Sequence, residues 1–186
     1  MTIAAHTNNN PGIATGVWTI DPAHSTVGFS VRHLMVSKVR GRFGAFTGTI
    51  TIADNALESG LDASVEMTSV DTGDAGRDGH LRGADFLDVE TFPTMTFAST
   101  SLNAVGGNYA LAGNLTIKGV TKPVTFALEF DGVATDPWGN TKAGFSATAE
   151  INRKDWGIEW NAVLEAGGVL VGEKVKIQLD IEAAKA

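Results

Sequence analysis

The sequence predicts an all-β fold, an eight-stranded antiparallel up-and-down barrel crossed by one long loop with a short helical lid. Three observations carry that prediction. Apolar residues recur at every second position in about eight separate runs, the period of a strand with one buried face. Turn-forming residues stand between the runs. The 186 residues include 22 glycines against five prolines, with 43% apolar and 19% charged residues, a turn-rich globular balance rather than a disordered one. Periodicity leaves both a barrel and a two-sheet sandwich open; the lack of a repeated Greek-key signature favours the barrel.

Residues 1–16 (MTIAAHTNNNPGIATG) read as a disordered polar leader, 17–182 as one barrel domain, and 183–186 as a C-terminal tail. The leader has neither the basic n-region nor the apolar core of a secretory signal. No stretch approaches the roughly 18 apolar residues of a membrane helix. The expected location is therefore cytoplasmic, with no transmembrane segment.

The first strand is STVGFSVRH, with Val27, Phe29, Val31 and His33 on one face. TGTITI follows with Ile50 and Ile52 inward, then Leu61, Ala63, Val65 and Met67. Phe43 and Phe46 are three apart among Gly41, Gly44 and Gly48, so strict alternation fails there and a bulge or sharp bend is expected. Asp71 to Phe92 is polar and irregular, a long loop with one or two helical turns, and loops of that length in small domains are usually functional. Met95 and Phe97 open the next strand; Tyr109, Leu111, Leu115 and Ile117, then Val124, Phe126, Leu128 and Phe130 continue the pattern. Phe145, Ala147, Ala149 and Ile151, and finally Val175, Ile177, Leu179 and Ile181, complete it. Gly106-Gly107-Asn108, Lys118-Gly119, Asp136-Pro137 and Gly167-Gly168 mark the turns.

Catalytic signatures are missing. Ser30 in GFSVR and Ser146 in GFSAT lack the second glycine of a nucleophile elbow. The four histidines are widely spaced, and a metal site from His24, His33 and His80 is disfavoured because structural sites show close pairs. GRFGAFTG lacks the Lys-Ser/Thr of a phosphate loop. Asp71, Asp74 and Asp78 lack the spacing of a calcium loop. No cysteine is present, so disulfides and thiolate chemistry are excluded. A net charge of -7 argues against nucleic acid as a partner. No carboxylate alternates onto an inward face beside His33 or His80, which counts against an enzyme.

One stretch runs against the acidic balance. From Pro22 to Ala53 there is no Asp or Glu, while Arg32, Lys38, Arg40 and Arg42 fall close together. If that stretch turns at a barrel mouth, these four cations can meet a ligand's head group; the alternative is a solvated face whose charges pair with acids such as Asp85 or Asp88. Trp18, Trp156 and Trp160, with the inward phenylalanines, either pack a solid core or line a cavity.

Five blocks in order, WTIDPAHSTVGFSVRHL, GRFGAFTGTI, RDGHLRGADFLDVETFPTMTF, GNLTIKGVTKPVTF and INRKDWGI, resemble the YceI-like family over about residues 17 to 182. That resemblance implies a lipocalin-like barrel with a long cavity that takes an isoprenoid chain, and many relatives are periplasmic. It implies that Asp21, His24 and Ser25 lock the first strand, and that Arg77, Asp78, Leu81 and Phe86 belong to a loop folding over the barrel as a lid or plug. The expected cavity residues are Val27, Phe29, Val31, His33, Phe43, Phe46, Leu81, Phe86, Phe92, Phe97, Phe126, Phe145, Trp156 and Ile177. The expected function is a binding or carrier protein for an isoprenoid or related lipid, with no cofactor beyond that lipid and a homodimer left open. An enzyme acting on such a ligand and a ligand-free structural or stress-response barrel are the alternatives.

Overall fold

The structure, a computed structural model, describes residues 10–186. Among them eleven strands form one sheet, and six of the eleven are halves of three strands bent in the middle. β1 (Gly16–Ile20) and β2 (Thr26–His33) are divided by a turn at Asp21–Ser25, yet both pair with the C-terminal β11 (Val171–Lys185). β3 (Ser37–Phe43) and β4 (Phe46–Ile52) are divided at Gly44–Ala45, where the phenylalanine spacing calls for a bend. β5 (Gly60–Glu66) and β6 (Val70–Asp71) flank a single tight turn at Met67–Ser69. The remaining strands are β7 (Thr94–Val105), β8 (Asn108–Ile117), β9 (Val120–Thr135) and β10 (Thr141–Asn152).

Counted this way there are eight strands, three of them bent, each antiparallel to the next, and β11 closes the ring on β1 through Trp18↔Lys185, Thr19↔Ala184 and Ile20↔Ala183. Closure removes the exposed sheet edge that an open meander would leave.

The chain limits differ from those read in the sequence. Of the supposed leader, residues 1–9 lie outside the described residues. Ile13, however, is buried beside Trp18, Ile52, Ala143 and Ala183. The supposed tail is strand: β11 runs to Lys185, and Ala183 is fully buried. These residues close the lower end of the barrel. Trp18 lies one inward position below Ile20, fully buried, and its indole N–H donates to the Ala14 carbonyl at 2.9 Å. It is the floor of the barrel rather than a cavity wall.

The Asp21–Ser25 turn is a lock. Asp21 N–H donates to the Glu182 carbonyl at 2.8 Å, and Ser25 Oγ accepts from Glu182 N–H at 2.9 Å. The Asp21 carboxylate takes hydrogen bonds from His24 Nδ1 (2.9 Å), Lys142 Nζ (3.2 Å) and the Ala23 N–H (3.0 Å). His24 chiefly, with Lys142, holds the Asp21 carboxyl down from 3.8 to about 2. Because that pKa is lowered on folding, its stabilisation is present above 3.8 and is lost as pH falls toward about 2. Asp21→Asn is expected to flatten that acid limb, by on the order of 1 kcal/mol after solvent screening. Urea midpoints of both proteins across that range check it; parallel curves would remove the lock's electrostatic role.

The upper end carries the long loop. It contains one helix, α1 (Ala75–Arg82), capped by Asp74, whose carboxylate accepts from Arg77 N–H at 2.8 Å. Asp78, though buried, is satisfied by the Thr72 N–H (2.9 Å) and hydroxyl (2.6 Å). Arg82 ties the helix back to the Thr68 and Val70 carbonyls, both at 2.9 Å. Phe86 and Val89 then enter the main core, so the segment plugs the barrel's upper end. None of the helices is long and apolar enough to cross a membrane, among the described residues.

Candidate functional site

Period two decides what faces inward. On β2, Val27, Phe29 and Val31 stand opposite Leu179, Ile177 and Val175 of β11, and opposite Phe43, Gly41 and Val39 of β3. A Cβ at Gly41 would collide with the Phe29 ring, so glycine there lets that ring lie flat across the barrel. The Phe29 and Phe43 centroids are 5.6 Å apart. This pair divides the interior: Phe29 borders one chamber and its ladder partner Ile177 borders the other.

The lower chamber has a volume of about 180 Å³. Apart from Thr47, Ser59 and Thr96, its side chains are apolar, with Ile20, Ile50, Leu111, Phe126 and Leu179 from five strands among them. Phe97 and Phe126 meet edge to face at 5.3 Å, and Gly113 leaves room for the Phe97 ring. No buried side-chain nitrogen or oxygen among the described residues lacks a partner. The chamber therefore offers dispersion and desolvation, with no unsatisfied polar group waiting for a ligand.

The upper chamber, about 150 Å³, is different. Phe29, Val31, Val39, Leu81, Phe86 and Leu170 supply apolar walls, while Arg32, His33, Arg77 and His80 also border it. Arg77 is oriented by Thr72, through Nε to the hydroxyl (2.7 Å) and Nη2 to the carbonyl (2.9 Å). His80 meets the rings of Phe86 and Trp160 edge-on at 4.9 and 4.8 Å, and its Nε2 lies 2.9 Å from Asp85. A carboxylate does accompany this histidine, contrary to the strand-face reading, because Asp85 comes from the loop after α1 rather than from a strand.

Of the residues expected in the cavity, Val27, Phe46, Phe97, Phe126, Phe145 and Ile177 line the lower chamber, and Phe29, Val31, His33, Leu81 and Phe86 the upper. Three line neither. Phe43 is packed in the partition, Phe92 lies over Gly119 at the β8–β9 turn, and Trp156 is buried with its N–H on the Leu115 carbonyl at 3.0 Å. Three of the four head-group cations also need correction. Val39 and Phe43 face inward, so Lys38, Arg40 and Arg42 project from the outer face of β3, and Arg42 lies 3.6 Å from Asp71. Arg32 alone of the four touches a chamber, and it stands opposite Lys38 between inward Val31 and His33, so its side chain also leaves by the outer face.

Among the described residues the three histidines do not meet at one point: His24 sits in the Asp21 turn at the lower end, whereas His33 and His80 both border the upper chamber. Asp21, His24 and Glu182 are close enough to share a cation. Lys142 already fills that role, with Nζ 3.2 Å from Asp21 and 3.4 Å from Glu182. Strand alternation gives no hint of Arg153. It is buried, with its guanidinium on the carbonyls of Gly172 (2.8 Å), Ile158 (2.7 Å) and Val171 (3.4 Å), and it fixes the segment that carries Trp160.

The family model of the YceI-like domain matches residues 18–183. Protein YceI of Salmonella newport is 43% identical over 136 residues, covering 73% of this chain and 71% of that protein. The crystal structure of the Campylobacter jejuni YCEI protein superposes with a TM-score of 0.69 at 30% identity, over 89% of this chain and 96% of that one. A polyisoprenoid binding domain from Saccharophagus degradans, implicated in plant cell wall breakdown, shares the fold with a TM-score of 0.70 at 15% identity, over 93% of this chain and all of that one (100%).

Proposed function

This chain belongs to the YceI-like family, and from that premise we propose that it is a binding protein that carries a long apolar lipid of isoprenoid type inside its barrel. The observation that carries the proposal is the lower chamber, about 180 Å³ and lined almost wholly by apolar side chains inside a closed barrel. Each buried CH₂ contributes about 0.8 kcal/mol, so a few isoprene units supply enough to offset the entropic cost of association. The neighbour named for polyisoprenoid binding supports the same class of ligand. In this reading the tail occupies the lower chamber, and the polar end reaches the upper chamber beside Arg77, His33 and His80. In this reading a rotation of Phe29, which separates the two chambers, joins them.

The test is native mass spectrometry and lipid extraction of the freshly purified protein, followed by titration with a geranylgeranyl probe. Ala147 borders the lower chamber, and Ala147→Phe is expected to fill it, reduce lipid recovery and probe affinity by at least about tenfold, and leave melting nearly unchanged. Wild-type protein with no extractable lipid and no probe binding would end this reading.

A second reading, an enzyme, rests on the His80–Asp85 pair, which has the geometry of an oriented imidazole. Among the described residues no serine, threonine or cysteine lines the upper chamber, so in this reading the pair transfers a proton to or from a bound ligand. His80→Gln separates the readings: a carrier keeps its lipid occupancy, whereas an enzyme loses turnover of the ligand identified by extraction.

A further inference from the structure

The hairpin joining β2 to β3 is built in an unusual way. Its turn is closed by the Val36 N–H donating to the His33 carbonyl at 3.2 Å, and its two central residues, Leu34 and Met35, have φ of 52° and 60°. Positive φ at both central positions is the pattern of a type I′ turn, which Asn-Gly adopts at little cost. Leucine and methionine are bulky residues that strain there. Little packing is gained in return: Leu34 is 39% exposed, Met35 60% and Val36 79%. The chain thus accepts strain to hold three consecutive apolar side chains in solvent, and local strain of that kind gathers at functional sites.

The surface beneath this tip is basic. Lys38 and Arg40 on β3 stand opposite Arg32 and Ser30 on β2, and Lys176 on β11 stands on the other side of Ser30. No carboxylate among the described residues lies within 4.0 Å of the charged nitrogens of Arg32, Lys38, Arg40 or Lys176; Glu150, opposite Lys176 on β10, is held by Lys174 at 3.2 Å. In a chain of net charge -7, this is a cationic face on the outer wall, crowned by apolar side chains. The adjoining loop offers Val163, also exposed, but carries Glu165, so the charge argument rests on β3, β2 and β11 alone. The tip also stands at the rim of the upper chamber, since His33 borders that chamber and Leu34 N–H donates to the carbonyl of Leu170, another wall residue, at 2.9 Å.

We propose that this hairpin docks the protein on an anionic phospholipid bilayer, with Leu34, Met35 and Val36 inserted at the headgroup level and Arg32, Lys38, Arg40 and Lys176 against the lipid phosphates. Apolar side chains enter the interface while cations remain at the charged surface, the two contributions that together hold an interfacial anchor. The inference goes beyond the carrier reading and gives it a route: a ligand insoluble in water can pass from the bilayer into the upper chamber without crossing solvent.

The experiment is vesicle flotation of the full chain, on neutral phosphatidylcholine and on phosphatidylcholine with about one third phosphatidylglycerol, at low and high salt. Wild type is expected to float with the anionic vesicles only, and to be released by salt as the cations are screened. Lys38→Gln/Arg40→Gln is expected to weaken partitioning roughly fivefold per cation. Leu34→Asn/Met35→Gly replaces the strained turn with a favoured one. It is expected to melt at or above wild type while losing at least about tenfold in partitioning, the lost insertion of two apolar side chains. A merely structural hairpin would not separate stability from binding in this way. No wild-type flotation, equal flotation on neutral vesicles, or full binding by the Asn-Gly variant would overturn the assignment. So would a wild-type dimer in sedimentation that the same variant dissolves, which would make the tip a contact between two copies. Lipid content measured in the same samples keeps the outcomes distinct, because an occupied chamber with no flotation leaves the carrier reading intact.

Discussion

Phe126→Asp is expected to remove more than about 4 kcal/mol of stability, enough to leave a small domain largely unfolded at room temperature. Phe126 is only 5% exposed and lines the lower chamber, edge to face with Phe97. The substitution loses the ring's burial and its aromatic pair, and it places a carboxylate in a chamber whose lining is almost wholly apolar. The aspartate must stay neutral or admit water, and either route costs free energy. Phe126→Leu keeps an apolar group and is expected to cost roughly 1–2 kcal/mol. Urea unfolding of the three proteins reads the difference. A Phe126→Asp protein with the wild-type midpoint would show that the chamber is open to water, and the apolar ligand would lose its main source of affinity.

Arg153→Ala is expected to cost about 3–5 kcal/mol for a different reason. Among the described residues no carboxylate bonds this guanidinium; backbone carbonyls of Ile158, Val171 and Gly172 surround it. Burial, the larger influence, lowers its pKa, while the charge of Glu173 opposes that. Removing the side chain takes the guanidinium donors from the Ile158 and Gly172 carbonyls, while the Val171 carbonyl keeps Asn161 Nδ2 at 2.7 Å, and it loosens the segment before β11. Arg153→Lys is expected to recover only part of the loss, because one ammonium cannot reproduce the planar fork that reaches all three oxygens. Hydrogen exchange adds a local readout: amides of 158–171 should lose protection before the barrel strands do. Since Trp160 and Leu170 belong to that segment and border the upper chamber, ligand affinity should fall with it. A loss below about 1 kcal/mol would show that the segment is held by its other contacts.

The sequence by itself determined the class of fold and the facing of most strands. Val27, Phe29, Val31 and His33 were legible as one inward face because side-chain period in a strand is a local property, written in every second residue. The same rule held the answer for the cations: Lys38, Arg40 and Arg42 alternate with Val39 and Phe43, so their outward direction could be read from spacing. Reading them as a run in the chain, rather than by parity, placed them at the ligand. The lock at Asp21 and Ser25 was legible as a motif, but its partners were not, since Glu182 and Lys142 lie more than a hundred residues away in the chain. Tertiary structure alone decided that β11 pairs with both halves of the first strand, that Trp18 is a floor, that Phe29 over Gly41 splits the interior in two, and that Arg153 is held by carbonyls. Each of these depends on which distant segments meet and how closely their side chains fill the space between them. Alternation says which way a side chain points; only the closed barrel says what it meets there.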